Sequence, residues 1–347
     1  MYCKDCGAEV DDTAKYCQRC GSPMGSAMLP KDKAVLEGLP IPPPGIDVEF
    51  LPSERMPMAP TPAAPASKKG RVPGITLALV FLFIALGVVF EVFGYLIGLG
   101  LGPDAAELCA TLGLGVGTAV GILALGGKRL LTVNASIVGT ALKKGWWLLA
   151  VSGALFALDL VGILQENQFV LADNWPVRLL WTFVFCLAIG FSEEGMFRGL
   201  LLGGFMDVSG KSRRGLYIAV ILSALVFGIA HVDWGALVWT DPLQVSQAFL
   251  KIMQTGMLGY FFAALVVQTR SVVGPALLHA FSNFLLMVVL IGLMGESVET
   301  NYVTTGEEAL PTIFLYLTII VLYIPLVVIG TGMLKKAEVP DRGELHK

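Results

Sequence analysis

The chain has 347 residues, of which 55% are hydrophobic and only 15% charged, with a formal net charge of −3. Soluble domains carry about 25% charged residues, so the composition excludes an ordinary soluble globule and predicts an all-α polytopic membrane protein. The negative balance predicts no nucleic-acid partner. The opening residues, Met1-Tyr2-Cys3-Lys4-Asp5-Cys6, lack an apolar run and predict no cleaved signal peptide.

Residues 1–24 read as one unit. Cys3-x2-Cys6 and Cys17-x2-Cys20 are two knuckles, each followed by glycine (Gly7, Gly21). Each presents two thiolates to a tetrahedral ion, and so short a segment cannot fold on a core of its own. This spacing predicts structural zinc on Cys3, Cys6, Cys17 and Cys20; a disulfide pair or an iron site is the alternative. The segment resembles the short zinc-ribbon at the N-terminus of many prokaryotic membrane proteins, which implies a docking or regulatory element with a cytoplasmic protein partner. Cys109 and Cys186 stand alone in apolar sequence and read as small packing residues. Residues 25–72 read as a flexible linker. Eleven of the chain's prolines precede residue 70, some in runs such as Pro42-Pro43-Pro44, a composition that buries no core.

Apolar runs of ~20 residues then predict eight transmembrane helices, near 74–100, 105–126, 146–165, 177–204, 216–232, 245–268, 272–294 and 311–334. Lys68, Lys69 and Arg71 precede the first, and Lys128, Arg129, Lys143 and Lys144 separate the second from the third. Lys211, Arg213 and Arg214 follow the fourth, Arg270 the sixth, and Lys335 and Lys336 the eighth. The alternate connections carry acids: Asp104, Glu107, Glu166, Asp173, Asp233, Asp241, Glu296, Glu299, Glu307 and Glu308. The positive-inside rule therefore predicts an integral, multi-pass protein with both termini and the cysteine knuckles in the cytoplasm. A reducing cytoplasm also favours metal over disulfide there. Leu130–Leu142 is too short to span and reads as an interfacial helix or loop. Trp146-Trp147 reads as an interfacial belt. Glu91 and Asp159 read as packing residues or cavity walls.

The fourth span contains an ionised cluster, Ser192-Glu193-Glu194-Gly195-Met196-Phe197-Arg198. Each such charge costs roughly 2.5–3.5 kcal/mol at a bilayer centre, so charges there mark an active site, an ion path or a proton path. Residues four apart share a helix face, which pairs Glu194 with Arg198. Glu193 is rotated by about 100° and is free to act as a base. His231 ends the fifth span, one turn after Phe227. His279 lies in the seventh, one turn before Asn283. Two imidazoles can bind a metal or hydrogen-bond a water, and Asn283 can donate to an oxyanion or orient His279.

These three motifs, Glu193-Glu194-x3-Arg198, Phe227-x3-His231 and His279-x3-Asn283, follow one another on successive membrane helices. The order resembles the CPBP family, the CAAX-protease-type and bacteriocin-processing (Abi) intramembrane endopeptidases, over roughly residues 177–294. The resemblance implies an intramembrane protease domain over 73–335, followed by a cytoplasmic tail, 336–347. It implies Glu193 activating water, supported by Glu194 and Arg198, with His231, His279 and Asn283 lining the same pocket. Two versions of the chemistry stay open. In one, His231 and His279 hold a catalytic zinc; in the other, Glu193 and His231 activate water directly while His279 and Asn283 form the oxyanion site. Partners are membrane lipids and a membrane-associated or hydrophobic peptide substrate. The rival readings are a catalytically inactive immunity or scaffold protein of the same fold, and a transporter using these groups as a proton relay.

One geometric expectation runs against the reading. At ~1.5 Å per residue, Glu193 lies about 27 Å from Lys211, His231 about 24 Å from Gly215, and His279 only about 13 Å from Arg270. Straight helices would hold His279 at a different depth.

Overall fold

A computed structural model describes residues 73–297 and 303–339, all within one unit spanning 67–347. The cysteine knuckles, the linker, Glu299 and most of the C-terminal tail lie outside the described residues. Eight helices among the described residues are long and apolar enough to cross a membrane. They are α1 (Pro73–Gly98), α2 (Pro103–Ala124), α3 (Ala135–Gln165), α4 (Trp175–Glu194) continuing into α5 (Leu202–Ser209), α6 (Arg213–Ala230), α7 (Pro242–Thr269), α8 (Val273–Met287) and α9 (Ala309–Lys336). The α4–α5 rod is joined by a π-helical turn, Gly195–Leu201, and α8 ends in a second, Val288–Leu293.

Local chemistry starts these helices. Asn134 Oδ1 accepts from the Ile137 amide, Ser212 Oγ from Gly215, and Asp241 Oδ1 from Leu243, each satisfying an amide that the helix itself cannot. Large apolar side chains along α1 and α9 face outward, as a lipid-facing surface requires. The opposite pattern marks α7: Phe261 through Val267 are all buried, so this helix runs through the protein interior. It packs between α6 and α9, while α8 packs against α3 and α4.

Two differences from the sequence reading concern α3. Residues 135–142 are not a separate piece; they are the first turns of a continuous 31-residue helix. Lys143 and Lys144 interrupt the apolar run without breaking the helix, and on α8 Ala141 meets Gly274 while Gly145 meets Leu278. Trp146 is exposed, but Trp147 turns inward and donates from Nε1 to the Leu322 carbonyl of α9 at 2.7 Å. It ties two helices together.

The depth problem is resolved at the α7–α8 turn. Glu193 and His231 sit on antiparallel rods joined by a short turn, about 27 and 24 Å from it, and so meet naturally. His279 reaches them because its turn is set inside the bundle. Ser271 and Val272 are buried there, with Ser271 Oγ donating to Thr132 O at 2.6 Å and Val272 N to Leu130 O at 2.8 Å.

Candidate active site

Glu193 and Glu194 are the last residues of α4, immediately before the π-helical turn. Such turns recur at functional sites because the extra residue re-aims the side chains around it. Glu194 and Arg198 are both fully buried, and Arg198 Nη1 donates to Glu194 Oε1 at 3.0 Å, as the spacing predicts. Three rings surround the guanidinium: Phe227 at 4.1 Å, Phe262 at 5.6 Å and Phe197 at 5.8 Å from the ring centroids. Gly259 makes this fit, since a Cβ there would lie 2.9 Å from Phe227 and 3.1 Å from Arg198 Nη2. Phe227 also meets His231 edge to face at 4.3 Å, which accounts for its place one turn before the histidine.

Both histidines have their tautomers fixed. His231 Nδ1 lies 2.7 Å from the Phe227 carbonyl, which can only accept, so Nδ1 carries the hydrogen. His279 Nδ1 lies 3.0 Å from Glu194 Oε1, the oxygen that also takes Arg198, and donates to it. Each ring therefore turns Nε2 toward one atom, Glu193 Oε2, at 3.8 Å in both cases. That oxygen has no hydrogen-bond partner among the described residues, and neither do Glu194 Oε2 or Arg198 Nε and Nη2. Buried polar atoms left so are rare and call for a functional reason.

Residues 174–285 match the family model described as type II CAAX prenyl endopeptidase Rce1-like, and residues 2–24 match that of the zinc-ribbon domain. The chain carries an Rce1-like domain. At family level this is an intramembrane endopeptidase domain on a multi-pass membrane protein, with a zinc-ribbon domain at its N-terminus. No curated protein and no solved structure matches the chain.

Within the Rce1-like domain, Glu193, His231, His279 and Asn283 line a single cavity of about 360 Å³. Glu194, itself held by Arg198, bonds His279 and lies outside this lining. Lys251, Gln254 and Tyr323 line it too, and none of the three belongs to the motifs. Lys251 is the most informative: it is buried in the middle of α7, and it is electrostatically attracted to Glu193. Its signal was present in the sequence, as a lone lysine between Phe249-Leu250 and Ile252-Met253. Lys251 and Gln254 also border a second cavity of about 650 Å³, walled by Asp159 of α3 and Tyr316 of α9. Asp159 is thus a cavity wall. For a metal, the two Nε2 atoms and the Glu193 carboxylate are the right donor types. Among the described residues, however, no group of three or more His, Cys, Asp or Glu is arranged to hold an ion.

Proposed function

We propose that this protein is an intramembrane endopeptidase in which Glu193 activates the attacking water without a metal. The observation that carries this reading is the convergence of two fixed Nε2 lone pairs on the unpartnered Glu193 oxygen. A water among these atoms donates one hydrogen to Glu193 Oε2 and the other to His231 Nε2. Its oxygen attacks the scissile carbonyl carbon as Glu193 takes the proton. The oxyanion is held by the Asn283 side-chain amide, beside the His279 ring that Glu194 orients through Nδ1. Glu193 then passes the proton to the leaving nitrogen as the C–N bond breaks, leaving a carboxylic acid and an amine.

The substrate class is a membrane-associated or hydrophobic peptide, prenylated or not. Its apolar part is suited to the 650 Å³ cavity between α3 and α9, which adjoins the Glu193 cavity at Lys251 and Gln254. Both termini lie in the cytoplasm, and the zinc-ribbon holds structural zinc on Cys3, Cys6, Cys17 and Cys20 and recruits a protein partner.

The test is cleavage of two fluorogenic C-terminal peptides, one farnesylated and one not, by full-length protein in lipid nanodiscs. Wild type cleaves at least one, and Glu193→Gln cleaves neither. Cleavage by Glu193→Gln at the wild-type rate overturns the assignment. A folded wild type that cleaves neither, and releases no peptide from membrane extracts, favours the inactive scaffold reading.

A further inference from the structure

We propose that a basic pocket at the end of α7, remote from the Glu193 cavity, binds the anionic headgroup of a membrane phospholipid. The pocket has a volume of about 380 Å³. Its cations come from three separate elements: Arg129 from the 3-10 turn Lys128–Leu131, Arg270 from the cap of α7, and Lys336 from the last residue of α9. Gln268 adds an amide, and the buried side chains of Val267 and Met333 form an apolar floor. One acid, Glu338, also lines it, so three cations face one carboxylate. Among the described residues none of the three cations is in an ion pair. Arg213 at the same end behaves differently: its guanidinium is committed to the carbonyls of Leu334 and Ala337.

The backbone of Arg270 points the same way. It caps α7 in the left-handed conformation, φ 56° and ψ 29°. Glycine is the usual residue there, because a Cβ is strained in that region. Strain of this kind is kept where the side chain has work to do, and the Arg270 side chain lines the pocket. The depth fits as well. The proposed orientation puts this end at the inner leaflet, where acidic lipids concentrate and basic pockets between helices take phosphate headgroups.

The experiment is lipid titration of full-length protein by native mass spectrometry, comparing phosphatidylglycerol with phosphatidylcholine. Wild type binds one phosphatidylglycerol saturably and at least about tenfold more tightly than phosphatidylcholine. Arg129→Gln, Arg270→Gln and Lys336→Gln each weaken it by about fivefold, the effect of one charge near a headgroup. Lys143→Gln/Lys144→Gln, charges that do not line the pocket, leaves it unchanged. Arg270→Gly weakens lipid binding while holding or raising the unfolding midpoint, and it carries the test if the other variants fail to fold. The proposal is overturned if the pocket variants bind as wild type does, or if Lys143→Gln/Lys144→Gln loses as much. Complete displacement by glycerol 1-phosphate at matched concentration would assign the pocket to a soluble phosphate and overturn the lipid assignment.

Discussion

His279 donates from Nδ1 to Glu194 Oε1 across 3.0 Å, and this single bond ties α8 to α4 at the level of the candidate active site. The same oxygen takes Arg198, so one carboxylate fixes both a buried cation and an imidazole. Removing it strands the guanidinium in an aromatic cage. Breaking a buried pair in this way costs about 3–5 kcal/mol. Glu194→Ala is therefore expected to lower the unfolding midpoint in detergent sharply and to abolish peptide cleavage. A variant as stable as wild type would mean that the network contributes nothing to the fold.

Lys251 gives a second prediction. It lines the cavity beside Glu193 and is attracted to it, so the cation offsets the charge of the base and of the developing oxyanion. Lys251→Met is expected to cut kcat/KM by roughly 10²-fold, the size of one lost electrostatic donor. Lys251→Arg, which keeps the charge on a different fork, is expected to recover part of it. Peptide cleavage by the two variants in nanodiscs decides this, and equal rates in Lys251→Met and wild type would remove Lys251 from the chemistry.

The sequence made some of this legible and hid the rest for identifiable reasons. Apolar runs located all eight spans because lipid imposes length and composition directly. The pairing of Glu194 with Arg198 followed from helical spacing alone. Hydropathy misread the start of α3, because Lys143 and Lys144 lower the local average without altering the helix. The depth of His279 was not legible: it depends on Ser271 reaching Thr132, a contact 139 residues apart that no local pattern encodes. No local pattern marked the π-helical turn after Glu194 either. Lys251 was visible as an ionisable residue in an apolar run, but no motif drew attention to it.

The metal question separates the two versions of the chemistry. In the proposed mechanism the reaction runs on Glu193 and His231. Chelation followed by dialysis is therefore expected to leave the intramembrane activity intact in the Cys3→Ser/Cys6→Ser variant, which lacks two of the four proposed zinc ligands of the ribbon. Metal content and cleavage rate are measured on the same sample. Activity that vanishes with chelation and returns with added zinc, together with metal lost on His231→Ala/His279→Ala, would replace the glutamate–water mechanism with a metalloprotease.

Gly190 tests whether the approach of α4 to α8 is what assembles the site. A Cβ at Gly190 would lie 2.4 Å from the Ala276 carbonyl oxygen, a backbone atom that cannot swing aside. Gly190 lies one turn before Glu193 and Glu194, and Ala276 one turn before His279. Gly190→Ala must push the two helices apart at the place where Glu194 meets His279. Overpacking of this kind costs about 1–3 kcal/mol, but the loss of activity is expected to be larger, since about 1 Å of misplacement can cost 10²-fold. Gly153→Ala is the control: nothing lies within 4 Å of a Cβ there, and replacing a mid-helix glycine is expected to stabilise by about 0.5–1 kcal/mol. Unfolding midpoints and cleavage rates of both variants are measured side by side. If Gly190→Ala cleaves as wild type does, the close packing of α4 on α8 does not set the Glu194–His279 geometry.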